Sequence, residues 1–275
     1  MNTKLFTLLT WIVLLVGCKN KSKEIIDANN TPQFNILEGE IIDLSHDYSK
    51  ETIYWVTAKE FKLDTVFNGK TDRGFYYSAN NFETAEHGGT HIDAPIHFSK
   101  NAQTVDQIPL KKLIGKAIKI DVSDKAIHNP DYLISIDDLT QWETQEGTQI
   151  PDGSIVLLET GFSKYYPDAL RYLGTEDRGS EAVKELHFPG LSPEASEWLV
   201  KNRNIKAIGI DTASIDYGQS LNFQTHVNLM SHNISAFKNL TNLDKLPNND
   251  FYIVALPMKI KGGSGAPLRI VAFLN

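Results

Sequence analysis

At 275 residues with 41% hydrophobic content, the chain is long enough to bury a sizeable core in one large domain or two small ones. A net charge of −7 and a pI near 5.6 give it no general attraction to nucleic acid or to anionic lipid. Plentiful aromatic and β-branched residues exclude a disordered chain.

The chain opens with Lys4, an apolar run from Leu5 to Val16, and then Gly17-Cys18. That run is shorter than the roughly 20 residues a membrane-spanning helix needs, and suits a signal peptide over residues 1–17. A small residue before cysteine resembles a bacterial lipobox, which implies cleavage before Cys18 and lipidation of its thiol. The alternative is an ordinary signal peptide with an incidental cysteine. On the lipobox reading the protein is a lipid-anchored lipoprotein of the bacterial cell envelope, periplasmic or on the outer membrane, held by an anchor and not by a span. Cys18 is the sole cysteine, so no disulfide can form within the chain. Residues 18–33, with Asn29-Asn30 and Thr31-Pro32, read as a polar tether, and residues 34–275 as the folded domain.

Phe34 to Ser45 alternates loosely and predicts a first strand, whereas Ile53 to Phe67 has no clean period. Gly74 to Ser78 predicts a strand and Asn80-Asn81 a turn. Tyr76 and Tyr77 are candidates for an aromatic substrate pocket, or else ordinary strand packing.

The most informative stretch is His87-Gly88-Gly89-Thr90-His91-Ile92-Asp93-Ala94-Pro95-Ile96-His97, which holds three of the eight histidines and an aspartate. Imidazole and carboxylate are what a borderline divalent cation such as Zn or Mn binds. Gly88-Gly89 predicts a tight turn, and beyond it His91 and Asp93, two apart on an extended segment, share a face. The turn brings His87 back beside them, so that two nitrogens and one oxygen converge. His97 falls on the same face if the strand persists, but farther along, which suits a neighbour of the metal better than a further ligand. Its ordinary pKa near 6.5 fits it to take and give a proton, as a general acid/base must.

After the motif, Leu110–Gly115 predicts a short helix and Ala117–Val122 a strand. Ser135 caps a helix that Gly147 ends, and Ser154–Leu158 is a buried strand. Tyr165–Lys184 reads as a polar surface insertion, a lid or a subunit contact. Ser192-Pro193 opens a helix running to about Asn202, and Ile205–Ile210 is again a buried strand. Continuous apolar strands alternating with helices predict an α/β domain with parallel pairing. Phe251–Met258 and Leu268–Phe273 are the last strands. Between them, Gly262-Gly263-Ser264-Gly265 is either a hairpin turn or a loop donating N–H groups to an oxyanion. Asp211 and Asp216 either support ligand histidines or cap turns. No serine or cysteine nucleophile stands out.

The eleven-residue motif resembles the H-x-G-T-H-x-D-x-P-x-H signature of the cyclase family, which includes bacterial kynurenine formamidase and isatin hydrolase. Asp43-Leu44-Ser45-His46, Leu157 to Gly161, Gly209 to Asp216, His226 with Asn239-Leu240, and Leu256-Pro257 with Lys261 to Pro267 resemble it too. The resemblance implies a single layered β/β/α, swivelling-type domain with a central mixed sheet, and a homodimer. It also implies metal-dependent hydrolysis of a C–N amide-type bond (an arylformamide, cyclic imide or lactam) in a small molecule. The residues matching His87, His91 and Asp93 bind metal in the family, and the one matching His97 is the proton shuttle. The histidine matching His226 helps hold a second ion where there are two; here it is that or a structural histidine. Lys238 stands where binuclear members carry a glutamate, which implies one ion and not two. Two other readings are a lipoprotein that binds metal or ligand without catalysis, and a non-haem iron oxygenase, since two histidines and a carboxylate also describe a facial triad.

Overall fold

The structure, a computed structural model, describes residues 39–274. The expected signal peptide, Cys18, the tether and the start of the expected first strand lie outside the described residues. In chain order the strands are β1 (Ile41–Asp43), β2 (Lys62–Lys70), β3 (Tyr76–Glu83), β4 (His91–Asp93), β5 (Ile114–Asp121), β6 (Leu133–Ile134), β7 (Ile155–Glu159), β8 (Gly190–Leu191), β9 (Ala207–Ile210), β10 (Ser235–Lys238), β11 (Phe251–Pro257) and β12 (Gly265–Leu274). The helices are α1 (Leu110–Leu113), α2 (Ser123–Ala126), α3 (Ile136–Glu146), α4 (Ala169–Leu173), α5 (Pro193–Asn202) and α6 (Gln224–Met230).

The central sheet runs β1-β12-β11-β5-β7-β9-β10-β4. β5, β7, β9 and β10 are parallel, and the remaining pairings are antiparallel. The expected mixed sheet is therefore present. What layering did not anticipate is that β4 also pairs with β12, so that seven strands close into a ring. Alternation along the strands sorts the apolar residues. Ala117, Ile155, Leu157, Ala207, Phe237 and Ile92 share one cluster. Ile118, Ile120, Val156, Leu158, Ile208 and Ala236 share the other with Leu139 and Trp142 of α3, Leu199 of α5 and Leu229 of α6. A ring this narrow has room only for side chains, so the helices cover its outside.

Local signals place most of these elements. Ser135 Oγ accepts the Asp138 N–H, Asp138 Oδ2 accepts the Ser135 N–H at 2.7 Å, and Gly147 ends α3 at φ +66°. Pro193 sits in the first turn of α5, as expected.

Three expectations are corrected. Asn80-Asn81 is not a turn: it lies inside β3, which pairs with β2 in an exposed hairpin. With both faces largely exposed, that hairpin carries no apolar alternation to read. The Tyr165–Lys184 insertion is not confined to the surface, since Tyr172, Leu173 and Ala182 pack with Ile53, Val56 and Phe188 in a third core. The helix expected over Leu110–Gly115 stops at Leu113, where β5 begins.

Candidate metal centre

The predicted turn forms, and its neighbours explain why it must contain glycine. A Cβ on Gly88 would lie 1.9 Å from the Tyr54 ring, and Gly89 takes φ +54°. The Tyr48 hydroxyl donates towards the carbonyls of Gly88 (2.7 Å) and Thr90 (2.6 Å). Asn239 Nδ2 donates to Gly89 O at 2.6 Å, and Thr90 Oγ1 donates to Asn239 O at 2.7 Å. After this pinned turn, β4 presents His91 and Asp93 on the outer face of the ring, while Ile92 enters its interior.

The expected straight run from His91 to His97 is not observed. The strand stops at Asp93, and Pro95 opens a 3₁₀ turn over Pro95–His97. That turn lays the His97 ring on His87, with centroids 3.8 Å apart and planes 20° apart. His97 is thus brought into the group and not left beyond it: donor atoms of His87, Asp93 and His97 lie within 4.8 Å of one another. His226 arrives from α6 and Lys238 from β10, whose register sets Lys238 opposite His91.

Hydrogen bonds assign the histidine protons. A carbonyl can only accept, so His91 Nδ1 donates to Gly89 O (2.9 Å), leaving Nε2 as a lone pair. His226 Nδ1 donates to Asp216, a carboxylate that also accepts the N–H groups of Thr225 and His226 at 3.1 Å, so its Nε2 is again a lone pair. Ser264 Oγ donates to Glu86 Oε2 (2.6 Å) and therefore accepts from His87 Nε2–H (2.9 Å), leaving His87 Nδ1 bare. All three lone pairs face one carboxylate. His87 Nδ1 is 2.7 Å and His91 Nε2 3.2 Å from Asp93 Oδ1, and His226 Nε2 is 3.2 Å from Asp93 Oδ2.

Lone pairs directed at carboxylate oxygens repel unless a cation lies between them. On the Oδ2 side the chain supplies its own, the Lys238 ammonium, paired with Asp93. On the Oδ1 side it supplies none, and His91 Nε2 is buried without a hydrogen-bond partner. Two imidazole nitrogens and a carboxylate oxygen are a donor set for a divalent cation, and the residues present fit one there.

Burial alone would raise the Asp93 carboxyl, but the Lys238 ammonium beside it holds it well below the usual carboxylate range. Burial lowers His91 and pulls His97 down to about 3, so both are neutral at pH 7. No hydrogen bond among the described residues ties either ring nitrogen of His97, in contrast to the three histidines whose tautomers are set.

The group opens on a cavity of about 280 Å³ walled by Trp55, Phe98, Ala213 and Phe223, with His97, His226 and Lys238 on its lining. Tyr76 and Tyr77 do not line it; both are exposed on the β2–β3 hairpin. Asp216 holds a site histidine, whereas Asp211 accepts from Thr160 N and Oγ1 (2.8 and 2.7 Å) and ties two loops together. Glu159 pairs with Lys119 at 2.7 Å and not with Lys238, whose ammonium goes to Asp93. In the glycine loop, the N–H groups of Gly262, Gly263 and Ser264 go to Asp106, Ile260 and Glu86, which leaves none of these three for an oxyanion. Sequence reasoning missed Glu86, Ser264 and the aromatic walls. Glu86 stands next to the motif and Ser264 among glycines, but nothing in the sequence joins positions 178 residues apart.

The model of a family described as "Putative cyclase" matches residues 42–217. The chain is 28% identical over 264 residues to isatin hydrolase of Roseibium aggregatum, covering 91% of this chain and 92% of that protein. It is 26% identical over 232 residues to kynurenine formamidase of Salinibacter ruber, covering 84% and 96% respectively. In structure it is similar to isatin hydrolase A from Ralstonia solanacearum, with a TM-score of 0.77 and 32% identity over 86% of this chain and 92% of that one. With more than half its length matched and the signature histidines gathered on one carboxylate, the chain belongs to the cyclase family.

Proposed function

We propose that this chain is a metal-dependent hydrolase that cleaves a C–N amide-type bond in a small molecule. The relatives named isatin hydrolase and kynurenine formamidase point to a lactam, cyclic imide or arylformamide as the substrate. The observation that carries the proposal is the convergence of His87, His91 and His226 lone pairs on Asp93 beside an aromatic-walled cavity. His87 Nδ1, His91 Nε2 and Asp93 Oδ1 would hold the ion, Zn or Mn. Such an ion supplies Lewis acidity, polarising an amide carbonyl and making water a nucleophile near neutral pH.

The remaining work falls to the chain. Trp55, Phe98 and Phe223 exclude water and sandwich a flat substrate. His97, tied at neither nitrogen by a hydrogen bond among the described residues, takes a proton from the attacking water and returns it to the leaving nitrogen. This freedom favours His97 as shuttle over ligand, although one of its nitrogens lies within 4.8 Å of the donor atoms of His87 and Asp93. His226, on the Oδ2 side, joins the ligand set only where Lys238 gives way, so one ion is bound and not two.

The reading without catalysis draws on Lys238, whose ammonium already compensates Asp93. Metal-loaded protein screened against N-formyl arylamines, cyclic imides and isatin-like lactams decides between the two. Metal-dependent turnover is expected, falling at least about 100-fold in His97→Ala with metal content unchanged. Absence of turnover across the panel, or full turnover without His97, would refute the assignment.

We further propose that the chain is anchored to the bacterial cell envelope by lipidated Cys18. The support is the sequence pattern; no helix among the described residues is long and apolar enough to cross a membrane. Labelling with palmitate that persists in Cys18→Ser would overturn it. The exposed Leu63, Val66, Phe75 and Phe82 of the β2–β3 hairpin support a homodimer, which sedimentation checks. The swivelling-type β/β/α layering implied by the resemblance is retained as a proposal for how this domain is arranged, checked by whether solved swivelling-type domains superpose on its sheet strand for strand.

A further inference from the structure

A histidine ligand binds a cation through only one nitrogen, and which one is available depends on what holds the other. For His91 and His226 the holders are a backbone carbonyl and Asp216, both close in sequence to the histidines they hold. For His87 the holder is assembled from opposite ends of the domain. Ser264 Oγ lies 2.9 Å from His87 Nε2 and 2.6 Å from Glu86 Oε2, and Ser264 N lies 3.0 Å from that same carboxylate oxygen.

The loop carrying Ser264 is shaped around this pair. A Cβ on Gly263 would stand 2.9 Å from Glu86 Oε1, and one on Gly265 would stand 2.5 Å from His87 Cε1. The loop is also tied to the motif and its surroundings: Ala94 N donates to Ser264 O at 2.9 Å, Val105 N donates to Gly263 O at 3.0 Å, and Gly262 N donates to Asp106 Oδ1 at 2.9 Å. The hydroxyl is thereby placed by backbone on both sides, and its proton direction is fixed by Glu86. A hydroxyl that donates to a carboxylate offers only its lone pairs to the imidazole, so the imidazole must donate.

We propose that Glu86 and Ser264 form a carboxylate–hydroxyl relay that locks His87 as its Nε2–H tautomer and keeps Nδ1 open towards Asp93. Both are positioning residues: neither lines the cavity, and each acts through His87, which does. The inference rests on the reading of His87 as a metal ligand for its functional meaning, while the tautomer itself can be read without metal.

The test uses the full chain with Ser264→Ala and Glu86→Ala, and Ser264→Thr as the variant that restores a hydroxyl. In chelator-treated protein, ¹⁵N NMR of the imidazoles should show His87 as the Nε2–H form in the wild type and a tautomer mixture in both alanine variants, with Thr restoring the single form. Calorimetric titration with Zn should show affinity weakened about 10- to 100-fold in the alanine variants and recovered by Thr. Thermal melting of each apo protein checks that the variants are folded; should Ser264→Ala fail to fold, Glu86→Ala decides. An unchanged His87 tautomer, or unchanged Zn affinity in folded alanine variants, overturns the proposal. If the wild type binds no Zn or Mn, the metal reading falls, and the tautomer alone decides the relay.

Discussion

Lys238 offers the sharpest test of how the site balances charge. Its side chain is 6% exposed and that of Asp93 is 0%, so the pair is a buried one, with the ammonium on Oδ2. Lys238→Met removes the only cation the chain supplies there and leaves a buried carboxylate facing three imidazole lone pairs. Breaking one side of a buried pair costs about 3–5 kcal/mol. For a domain of this size each kcal/mol is about 2–4 °C in Tm, so apo Lys238→Met should melt roughly 6–20 °C below the apo wild type. Lys238→Glu goes further, because it sets a second carboxylate beside Asp93 Oδ2 and His226 Nε2 and so builds a second N/O donor set. Its apo form should be less stable than Lys238→Met, and it should be the variant most strongly rescued by metal. Elemental analysis should find about one ion per chain in the wild type and about two in Lys238→Glu, a chelating pocket now having replaced the ammonium. Two ions in the wild type, or one in Lys238→Glu, would refute the division of Asp93 between a metal side and an ammonium side.

Two further outcomes follow from close contacts and from burial. Gly265→Ala puts a Cβ 2.5 Å from the His87 ring and 2.6 Å from Ile92 O, and the carbonyl cannot swing away; a loss of about 1–3 kcal/mol by thermal melting, with weakened Zn binding, is expected, and wild-type values would defeat the packing argument. His46 is pulled down to about 4 by burial, against the opposing pull of Asp47 and Asp43, and stacks on Tyr166 at 3.7 Å. Between pH 6.5 and 4 the unfolded chain takes up a proton that folded His46 refuses, so this contribution to stability is complete above about pH 6.5 and falls as pH drops, by up to about 3 kcal/mol. Urea midpoints at pH 7 and pH 4.5 should show a larger acid loss in the wild type than in His46→Phe; equal losses would reject it.

The parts of this protein that were legible in the sequence are those whose cause is local. The Ser135 cap and Gly147 stop of α3, the Pro193 start of α5 and the Gly88-Gly89 turn each depend on a few adjacent residues, and each forms where expected. Illegible features depend on distant partners. The short β10, which carries Lys238, is held by pairing with β4 and β9 and not by its own pattern. Helix α6 has seven residues and no side-chain cap, so its sequence announces nothing. A period-two count places His97 only if the strand persists, and it ends at Asp93, before Ala94-Pro95.

Ring closure and the placing of His91 and Asp93 are one event in this fold. β4 has three residues, and it is the strand through which β10 and β12 meet. Its middle residue, Ile92, is fully buried in the core that holds Phe237 and Ala266, which fixes the strand's rotation. With a period of two, burying Ile92 inward obliges His91 and Asp93 to face outward together. The neighbours are chosen to match: β10 brings Lys238 opposite His91, and β12 brings a glycine opposite Asp93, where any side chain would strike His87. A slip of one residue in β4 would turn Ile92 to solvent and both His91 and Asp93 into the ring. The hydrophobic pairing that closes the sheet is therefore what holds the Asp93 carboxylate in place, and the group around it borrows its rigidity from the core and not from the loops.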